Sequence, residues 1–233
     1  MKLGIMQPYF FPYIGYWQLL NAVDMYVIYD DVNYIKGGWI NRNRILAGGS
    51  PHYLNLPLAG ASPNKKINEI EVNKNDRLFG KGLQTLRYNY RKAPYFQDVY
   101  PVIEEAFSCR HTNLAGFITE SLRLVCSYLG IETKMVVSSA IHKNNELKGM
   151  EKVLEICRIL GADTYLNAIG GKELYSRDEF GKHGITLYFL KTGDILYEQF
   201  GNPFQGNLSI IDVMMFNPVE RIREMLAQYV FVE

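Results

Sequence analysis

The amino-acid sequence predicts an α/β protein with a mostly parallel, Rossmann-like sheet and a helical insertion at about 75–130. Short apolar runs alternate with segments of helical period near the start of the chain and again after residue 134. Of the 233 residues, 48% are hydrophobic and 21% are charged, a balance that can bury a sizeable core and excludes intrinsic disorder. We therefore expect a single domain over 1–233.

The first elements form a strand, a helix and a second strand. A strand is predicted over 3–6 and ends at Gln7 and Pro8, because proline does not fit within a central strand. A helical period begins after Pro12, and a second strand over 25–29 ends in Asp30 and Asp31. Such a unit makes the sheet parallel and places the first loop at its carboxyl edge.

The middle of the chain changes character. Residues 32–51 mix Gly, Asn and Arg without a clear period for most of their length, which predicts a functional loop. Two short runs at 52–58 and 66–72 predict an antiparallel pair with a long connection. Helices follow over 76–91, over 97–107 and from Thr112 or Asn113 to Gly130. These three helices could form a separate bundle.

The α/β alternation then resumes. Strands are predicted over 134–137, 164–168 and 185–190, and helices over 147–160 and 171–180. A helix-capping signature, S-x-x-D, starts at Ser209, and Pro218 opens the final helix.

Charge and composition exclude several functions. The 25 Lys and Arg residues against 24 Asp and Glu give a net charge of +1, so neither nucleic acid nor a membrane surface is an expected partner, and any anion site must be local. With no secretory signal and no apolar run of about 18 residues, a cytoplasmic location is expected. The three cysteines and four histidines lack metal-ligand spacing, so no metal site is predicted from them.

Small and polar residues follow the predicted strands, where ligands of open parallel sheets bind. They are Gln7, Tyr9, Asp30, Asp31, Ser138, Ser139, Asn167 and Gly170. If these strand ends meet at one edge they make a single cleft, although ordinary loops use the same residue types. Asn167 and Gly170 also precede a predicted helix, whose N-terminus could receive an anion, or they could form a tight turn.

Asp30 and Asp31 are the acid/base candidates. Adjacent carboxylates can hold a cation or share a proton. Successive strand residues point to opposite faces, so one of the two could enter the site while the other caps a loop. His142 is a candidate proton carrier, and Lys148 is a second-choice phosphate contact.

The motif W-x-N-R-N-R over 39–44 is the main anion-binding candidate. Trp39, Asn41, Arg42 and Arg44 provide planar donors in a Gly-rich segment, and arginine binds phosphate or carboxylate bidentately. A solvated basic loop is the structural alternative. The aromatic content supports a pocket that stacks on a ring, although core filling is the commoner use of tyrosine.

These motifs resemble those of the WbqC-like family. Residues 7–16, QPYFFPYIGY, match its opening pattern Q-P-x-Y/F-x-P-x-x-G-Y, and the likeness extends over nearly the whole chain. Further matching segments lie at 30–32, 39–44, 87–96, 137–139, 160–166, 208–212 and 216–217. The resemblance implies cytoplasmic work on a nucleotide-activated sugar, or its amino derivative, for a bacterial surface polysaccharide of the O-antigen type.

The hypothesis that follows is a transferase that acylates the amine of a nucleotide-linked amino sugar. Arg42 and Arg44 would hold the pyrophosphate, Tyr9, Tyr16 and Trp39 would pack the base or sugar, and Asp31 or Asp30 would remove the amine proton. The acyl donor is unknown; a carboxylate activated by ATP would bring magnesium near the Asp pair.

Two alternatives and the oligomeric state stay open. Tyr13-Ile14-Gly15-Tyr16 stands where HIGH-type nucleotidylyltransferases have H-x-G-H, a faint resemblance in which tyrosine replaces both histidines. A non-catalytic protein that binds the sugar nucleotide, or a partner enzyme, would need the arginines and aromatics but not the carboxylates. A homo-oligomer is also compatible with the sequence.

Overall fold

The computed structural model describes residues 1–201 and 203–233. Its strands are β1 (Lys2–Met6), β2 (Met25–Ile28), β3 (Arg42–Ala47), β4 (Ser50–Asn55), β5 (Leu58–Ala59), β6 (Glu71–Val72), β7 (Lys134–Val137), β8 (Thr164–Ala168), β9 (Thr186–Thr192) and β10 (Tyr229–Val232). Its α-helices are α1 (Ile14–Asn21), α2 (Arg77–Tyr90), α3 (Phe96–Ser108), α4 (Leu114–Leu129), α5 (Gly149–Leu160), α6 (Arg177–Lys182), α7 (Ile210–Phe216) and α8 (Val219–Leu226). Short 3-10 helices occupy Ile67–Glu69, Ser138–Ala140 and Ile169–Leu174.

The central sheet confirms a mixed α/β fold. Within the described residues it has six strands in the order β10-β9-β8-β1-β2-β7, and only β10 is antiparallel to its neighbour. Strand β1 lies inside the sheet, with β2 and β7 on one side of it and β8, β9 and β10 on the other. Connections diverge at the carboxyl end of β1, which is where open α/β sheets bind ligands.

Alternate side chains of the sheet enter two cores. Leu3 and Ile5 face a core shared with α5 and α6, whereas Tyr26 and Ile28 face a core shared with α1. This alternation follows from the period-2 geometry of a strand and covers both faces of the parallel sheet with helices. The carboxyl edge is therefore bordered by a different layer on each side.

The helical insertion packs onto the rest of the fold. Helices α2, α3 and α4 lie within the predicted 75–130 segment. Phe107 and Phe117 belong to the same core as Tyr16 and Phe10, and the rings of Phe10 and Phe107 are 6.0 Å apart. The insertion therefore supports the first loop instead of forming a separate bundle.

A hairpin replaces part of the predicted loop at 32–51. Strand β3 pairs with β4 through a turn at Gly48 and Gly49, whose φ angles of 58° and 78° suit a two-residue hairpin turn. The run over 52–58 consequently pairs mainly with β3, and only its end, as β5, pairs with β6. The predicted antiparallel pairing of 52–58 with 66–72 is thus wrong for most of its length, because the nearer partner closes a shorter loop.

Two smaller differences lie near the C-terminus. The helix predicted over 171–180 is divided into the 3-10 helix Ile169–Leu174 and α6, which begins after Ser176, whose hydroxyl accepts a hydrogen bond from the Glu179 amide at 3.4 Å. Strand β10 was not expected. In the part of the chain that the structure describes, no helix has the length and apolar character needed to cross a bilayer.

Candidate functional site

Three segments that are far apart in sequence meet at the carboxyl edge. We call them the first loop (7–13), strand β3 and the C-terminal segment (207–210). The backbone amide of Ser209 donates to the Arg44 carbonyl at 2.8 Å, and that of Ile210 donates to the Pro12 carbonyl at 2.9 Å. The Ser209 hydroxyl donates to the Phe11 carbonyl at 2.7 Å. These bonds join three of the sequence motifs into one wall.

The first loop is held in a strained conformation. Phe11 is buried and has a φ of 41°, in the left-handed region. Residues other than Gly, Asn and Asp rarely adopt this conformation. Such backbone costs on the order of 1–3 kcal/mol and persists only where its surroundings enforce it. The buried Asn43 side-chain amide donates to the Phe10 and Phe11 carbonyls at 3.2 and 2.9 Å, and so fixes this peptide.

Two adjoining cavities open beside this wall. The small cavity, about 280 Å³, has walls that include Tyr9, Pro12, Tyr13, Trp39, Arg44 and Asn207. The large cavity, about 380 Å³, has walls that include Thr192, Asp194, Tyr197 and Phe204. Tyr13 and Asn207 line both cavities, so the two are neighbours. The volume of the large cavity is within the range of small-molecule sites, roughly 300–1,000 Å³, and that of the small cavity lies just below it.

Arg44 is the cationic group of the small cavity. Its Nη2 donates to the Asn207 carbonyl at 3.0 Å, and its guanidinium carbon lies 5.7 Å from the Trp39 ring centroid. Its Nε is buried and has no hydrogen-bond partner among the residues that the structure describes. A buried donor without a partner is unusual, so the guanidinium has unused capacity for an anionic ligand.

Arg42 and Asn41 lie outside the two cavities. Arg42 donates to the Gly37 carbonyl and, at 3.1 Å, to that of Gly38, and its guanidinium lies 4.4 Å from the Tyr53 ring centroid. Asn41 accepts from a tyrosine hydroxyl and donates to a backbone carbonyl. Both side chains brace the hairpin.

The glycine of the opening motif permits a close approach. A Cβ atom at Gly15 would lie 2.5 Å from Cε2 of Tyr13 and 2.6 Å from Oγ1 of Thr192. Helix α1 can thus approach the end of β9 only without a side chain at this position. This approach brings Tyr13 and Thr192 to the large cavity.

Tyrosines of the first loop form two layers. Tyr9 is half-buried and lines the small cavity, and burial raises its pKa and that of Tyr13, so both phenols keep their protons. Tyr16 is 1% exposed, and its hydroxyl donates to the Gln7 carbonyl at 3.1 Å. The rings of Tyr9 and Tyr16 are 5.7 Å apart. Tyr16 therefore supports Tyr9 from the core.

Asp30 connects three elements. Its carboxylate accepts from the Ser139 amide at 2.9 Å, from the Ser139 hydroxyl at 2.6 Å and from the Asn68 amide group at 3.2 Å. These bonds tie the end of β2 to the turn after β7 and to the 3-10 helix at Ile67–Glu69. The polar groups of Asp30 and Ser139 are thus hydrogen-bonded to each other.

Asp31 lies in a buried ion cluster. One carboxylate oxygen is 2.9 Å from the Nζ atoms of both Lys143 and Lys152. Burial alone would raise the pKa of Asp31, but the two ammonium groups and Ser138 lower it to about 2. A carboxylate with this pKa is a weak base near neutral pH. Since Asp30 accepts from Ser139 and Asn68, and two ammonium groups lie against Asp31, the pair does not suit a magnesium ion.

The remaining predicted residues are dispersed. His142, Lys148 and Gly170 are exposed. Asn167 is buried, and its side-chain oxygen accepts from the Ala168 amide at 2.8 Å. Of the predicted side chains, the cavities bring together Tyr9, Trp39 and Arg44. Within the described ranges, no group of three His, Cys, Asp or Glu residues is arranged to hold a metal ion.

A buried carboxylate behind the large cavity was missed. Asp212 is 0% exposed and accepts from the hydroxyls of Tyr90 and Tyr197, each at 2.7 Å, and from the Gln199 amide group at 2.6 Å. The S-x-x-D pattern indicated a cap, and Ser209 does accept from the Ile211 amide at 3.2 Å. Asp212, however, contacts the tyrosines. An acidic residue in an otherwise apolar helix segment, Ile210–Phe216, was the available signal.

Sequence comparison places these segments in a known family. The model of the WbqC-like protein family matches residues 7–224, a span that contains the first loop, β3 and the C-terminal segment. The chain belongs to the WbqC-like family. A relative of this WbqC-like chain is the uncharacterized protein Rv1507c of Mycobacterium tuberculosis, 28% identical over 219 residues that cover 93% of each chain. No solved structure matches.

Proposed function

We propose that this WbqC-like chain binds a nucleotide-linked amino sugar across the two cavities and acylates its amine, in the biosynthesis of a bacterial surface polysaccharide of the O-antigen type. The binding step rests on one observation: Arg44, whose buried Nε has no hydrogen-bond partner among the described residues, lines a cavity walled by aromatic rings. The acyl-transfer step, the polysaccharide and a cytoplasmic location rest on the family resemblance.

The side chains of the small cavity suit the parts of a sugar nucleotide. Tyr9, Tyr13 and Trp39 offer ring faces and polar edges for a base or sugar, and Arg44 offers charged donors for a phosphate. The parallel strand order β7-β2-β1-β8-β9 supports a Rossmann-like description, in which ligands bind beyond the carboxyl end of the first strand.

In this proposal the two aspartates position other groups. Asp30 fixes the turn after β7, and Asp31 fixes two lysines. Acylation forms the amide bond as the bond between the acyl carbon and the donor's leaving group breaks, and the amine proton departs with that leaving group. Neither aspartate is assigned the proton removal, because Asp31 is weakly basic and Asp30 is used by Ser139 and Asn68.

Binding is measured by calorimetry with UDP-, dTDP- and GDP-linked sugars, and turnover by the mass increase of an amino sugar nucleotide supplied with an acyl donor. Arg44→Gln should weaken binding by roughly tenfold or more, since a hydrogen bond to a charged group contributes about 1.5–3 kcal/mol. Arg42→Gln is the matched control, as it removes the same charge from the same strand outside the cavity. Equal losses in both variants would contradict the assignment, and no binding by any sugar nucleotide would refute the proposal.

A non-catalytic sugar-nucleotide-binding protein is the second candidate. It is favoured by the engagement of both predicted bases in contacts within the protein. Tight binding without any acylated product, across several classes of acyl donor, would support it.

Nucleotidylyl transfer is the weaker alternative. Tyr16, at the position of the second histidine in H-x-G-H, is in the core and bonded to Gln7. This alternative requires release of pyrophosphate from a nucleoside triphosphate and a sugar phosphate, which a coupled assay detects.

A further inference from the structure

The two cavities differ in charge. Arg44 gives the small cavity a cation. Of the described residues that line the large cavity, Asp194 alone is charged. Asp194 is exposed, and no salt bridge joins it to a basic side chain over 1–201 and 203–233. A ligand that spans both cavities therefore meets a positive group at one end and a negative group at the other.

A second acceptor lies in the wall of the large cavity. Tyr197 lines this cavity and donates its hydroxyl proton to Asp212 at 2.7 Å. Tyr90 is a second donor to Asp212. The Tyr90 oxygen accepts from the Leu46 amide, and its proton is donated to Asp212. The Tyr197 oxygen already accepts from the Gln199 amide group at 3.4 Å. With its proton committed to Asp212, its remaining lone pair can only accept from a ligand.

Asp212 lies behind this wall and holds the Tyr197 hydroxyl in place. Burial raises the pKa of Asp212, and the three hydrogen bonds that it accepts, from Tyr90, Tyr197 and Gln199, oppose that rise. None of its hydrogen-bond partners is a cation. The large cavity thus offers the Asp194 carboxylate and the Tyr197 oxygen as acceptors, with no cationic side chain among the described residues of its wall, an arrangement that suits a primary amine.

We propose that the large cavity binds the primary amine of the sugar, with Asp194 as its ion-pair partner and Tyr197 as a hydrogen-bond acceptor, while Arg44 holds the phosphate end. This assignment rests on the proposed function and names the residues that select its substrate: an amino sugar is preferred over the sugar that carries a hydroxyl at the same position. Asp194 is then a specificity-determining residue.

Calorimetry with matched ligand pairs tests the assignment. Each pair is a UDP-, dTDP- or GDP-linked amino sugar and its hydroxyl counterpart. The wild-type chain should prefer the amine, and Asp194→Asn should reduce amine affinity by roughly tenfold, the effect of one charge-assisted bond, while changing hydroxyl affinity by less than about twofold. Raising the ionic strength should reduce the preference.

Two variants separate contact from general effects. Glu198→Gln removes an exposed carboxylate from the same loop outside the cavity and should leave the amine preference unchanged. Tyr197→Phe should lower the preference in the same direction as Asp194→Asn. Because the readout is a ratio of two affinities, a general loss of stability affects both ligands and leaves it unchanged.

The outcomes distinguish the two proposals. If sugar nucleotides bind but the amine is not preferred, or if Asp194→Asn leaves the ratio unchanged, the amine assignment is overturned and the sugar-nucleotide site stands. If no sugar nucleotide binds the wild-type chain, both proposals are refuted.

Discussion

Replacing Asp31 with Asn tests the buried ion cluster. The cluster holds one carboxylate and two ammonium groups, so its net charge of +1 would become +2 in a largely buried position. At 2.9 Å each contact has a Coulomb energy of roughly 6 kcal/mol at an effective dielectric constant of 20, which is a ceiling. Removing one partner of a buried pair costs about 3–5 kcal/mol in practice, and we expect a loss of that size for Asp31→Asn.

Urea unfolding followed by circular dichroism at pH 7 measures this loss. A chain of this size should also lose roughly 10 °C in melting temperature, at about 2–4 °C per kcal/mol. Lys143→Met is the matched control: it leaves the Lys152 contact in place and brings the cluster to zero net charge, so its cost should be smaller. A loss below about 1 kcal/mol for Asp31→Asn, or an equal loss for Lys143→Met, would refute the electrostatic reasoning.

The pH dependence supplies an independent check. The pKa of Asp31 falls from 3.8 to about 2 on folding, which corresponds to roughly 2 kcal/mol of stability. Because the folded-state pKa is the lower one, this contribution is complete above pH 3.8 and is lost as the pH falls toward about 2. The stability difference between wild type and Asp31→Asn should therefore shrink over that interval. A constant difference would show that Asp31 does not titrate as described.

Three further expectations concern packing and thiol reactivity. Gly15→Ala should destabilise the chain by roughly 1–3 kcal/mol, because its Cβ would meet side chains at 2.5 and 2.6 Å. Gly80→Ala, in α2 with no atom within 4 Å of its Cβ, should instead stabilise the chain by up to about 1 kcal/mol. Thermal melts compare the two variants, and a higher melting temperature for Gly15→Ala than for Gly80→Ala would contradict the packing described. Cys126 and Cys157 should resist iodoacetamide at pH 8 until the chain is unfolded, because burial raises the pKa of each thiol to about 12; rapid labelling of both in the native chain, measured by mass spectrometry, would contradict this.

Elements with strong local signals could be predicted from the sequence. Strand β1 is an apolar run that proline terminates, α4 has Asn113 as its N-cap and Gly130 at its C-terminal end, and α8 follows Pro218. Each of these signals acts within a few residues. The β3–β4 hairpin also had one, the Gly48-Gly49 turn, but Asn and Arg side chains obscured the strand period before it. Strand β10 depends on pairing with β9, which no local pattern records.

The candidate site was predicted in part for the same reason. Trp39 and Arg44 were identified from residue type, since an arginine beside an aromatic residue can stack on its ring and bind an anion. The lysines that engage Asp31 lie more than a hundred residues along the chain, and so does the Tyr90 partner of Asp212. Such partners are set by the tertiary fold, and one sequence does not contain them in readable form.

The bonds between the first loop, β3 and the C-terminal segment have a consequence for synthesis. Ser209 and Ile210 are made last of the three segments, yet they complete the wall that holds Phe11 and Arg44. The parallel sheet core can begin to form earlier, but a nascent chain that lacks residues beyond about 205 cannot close either cavity. Binding at the proposed site consequently requires the C-terminal segment, and a chain that stops before residue 207 lacks part of the wall of both cavities.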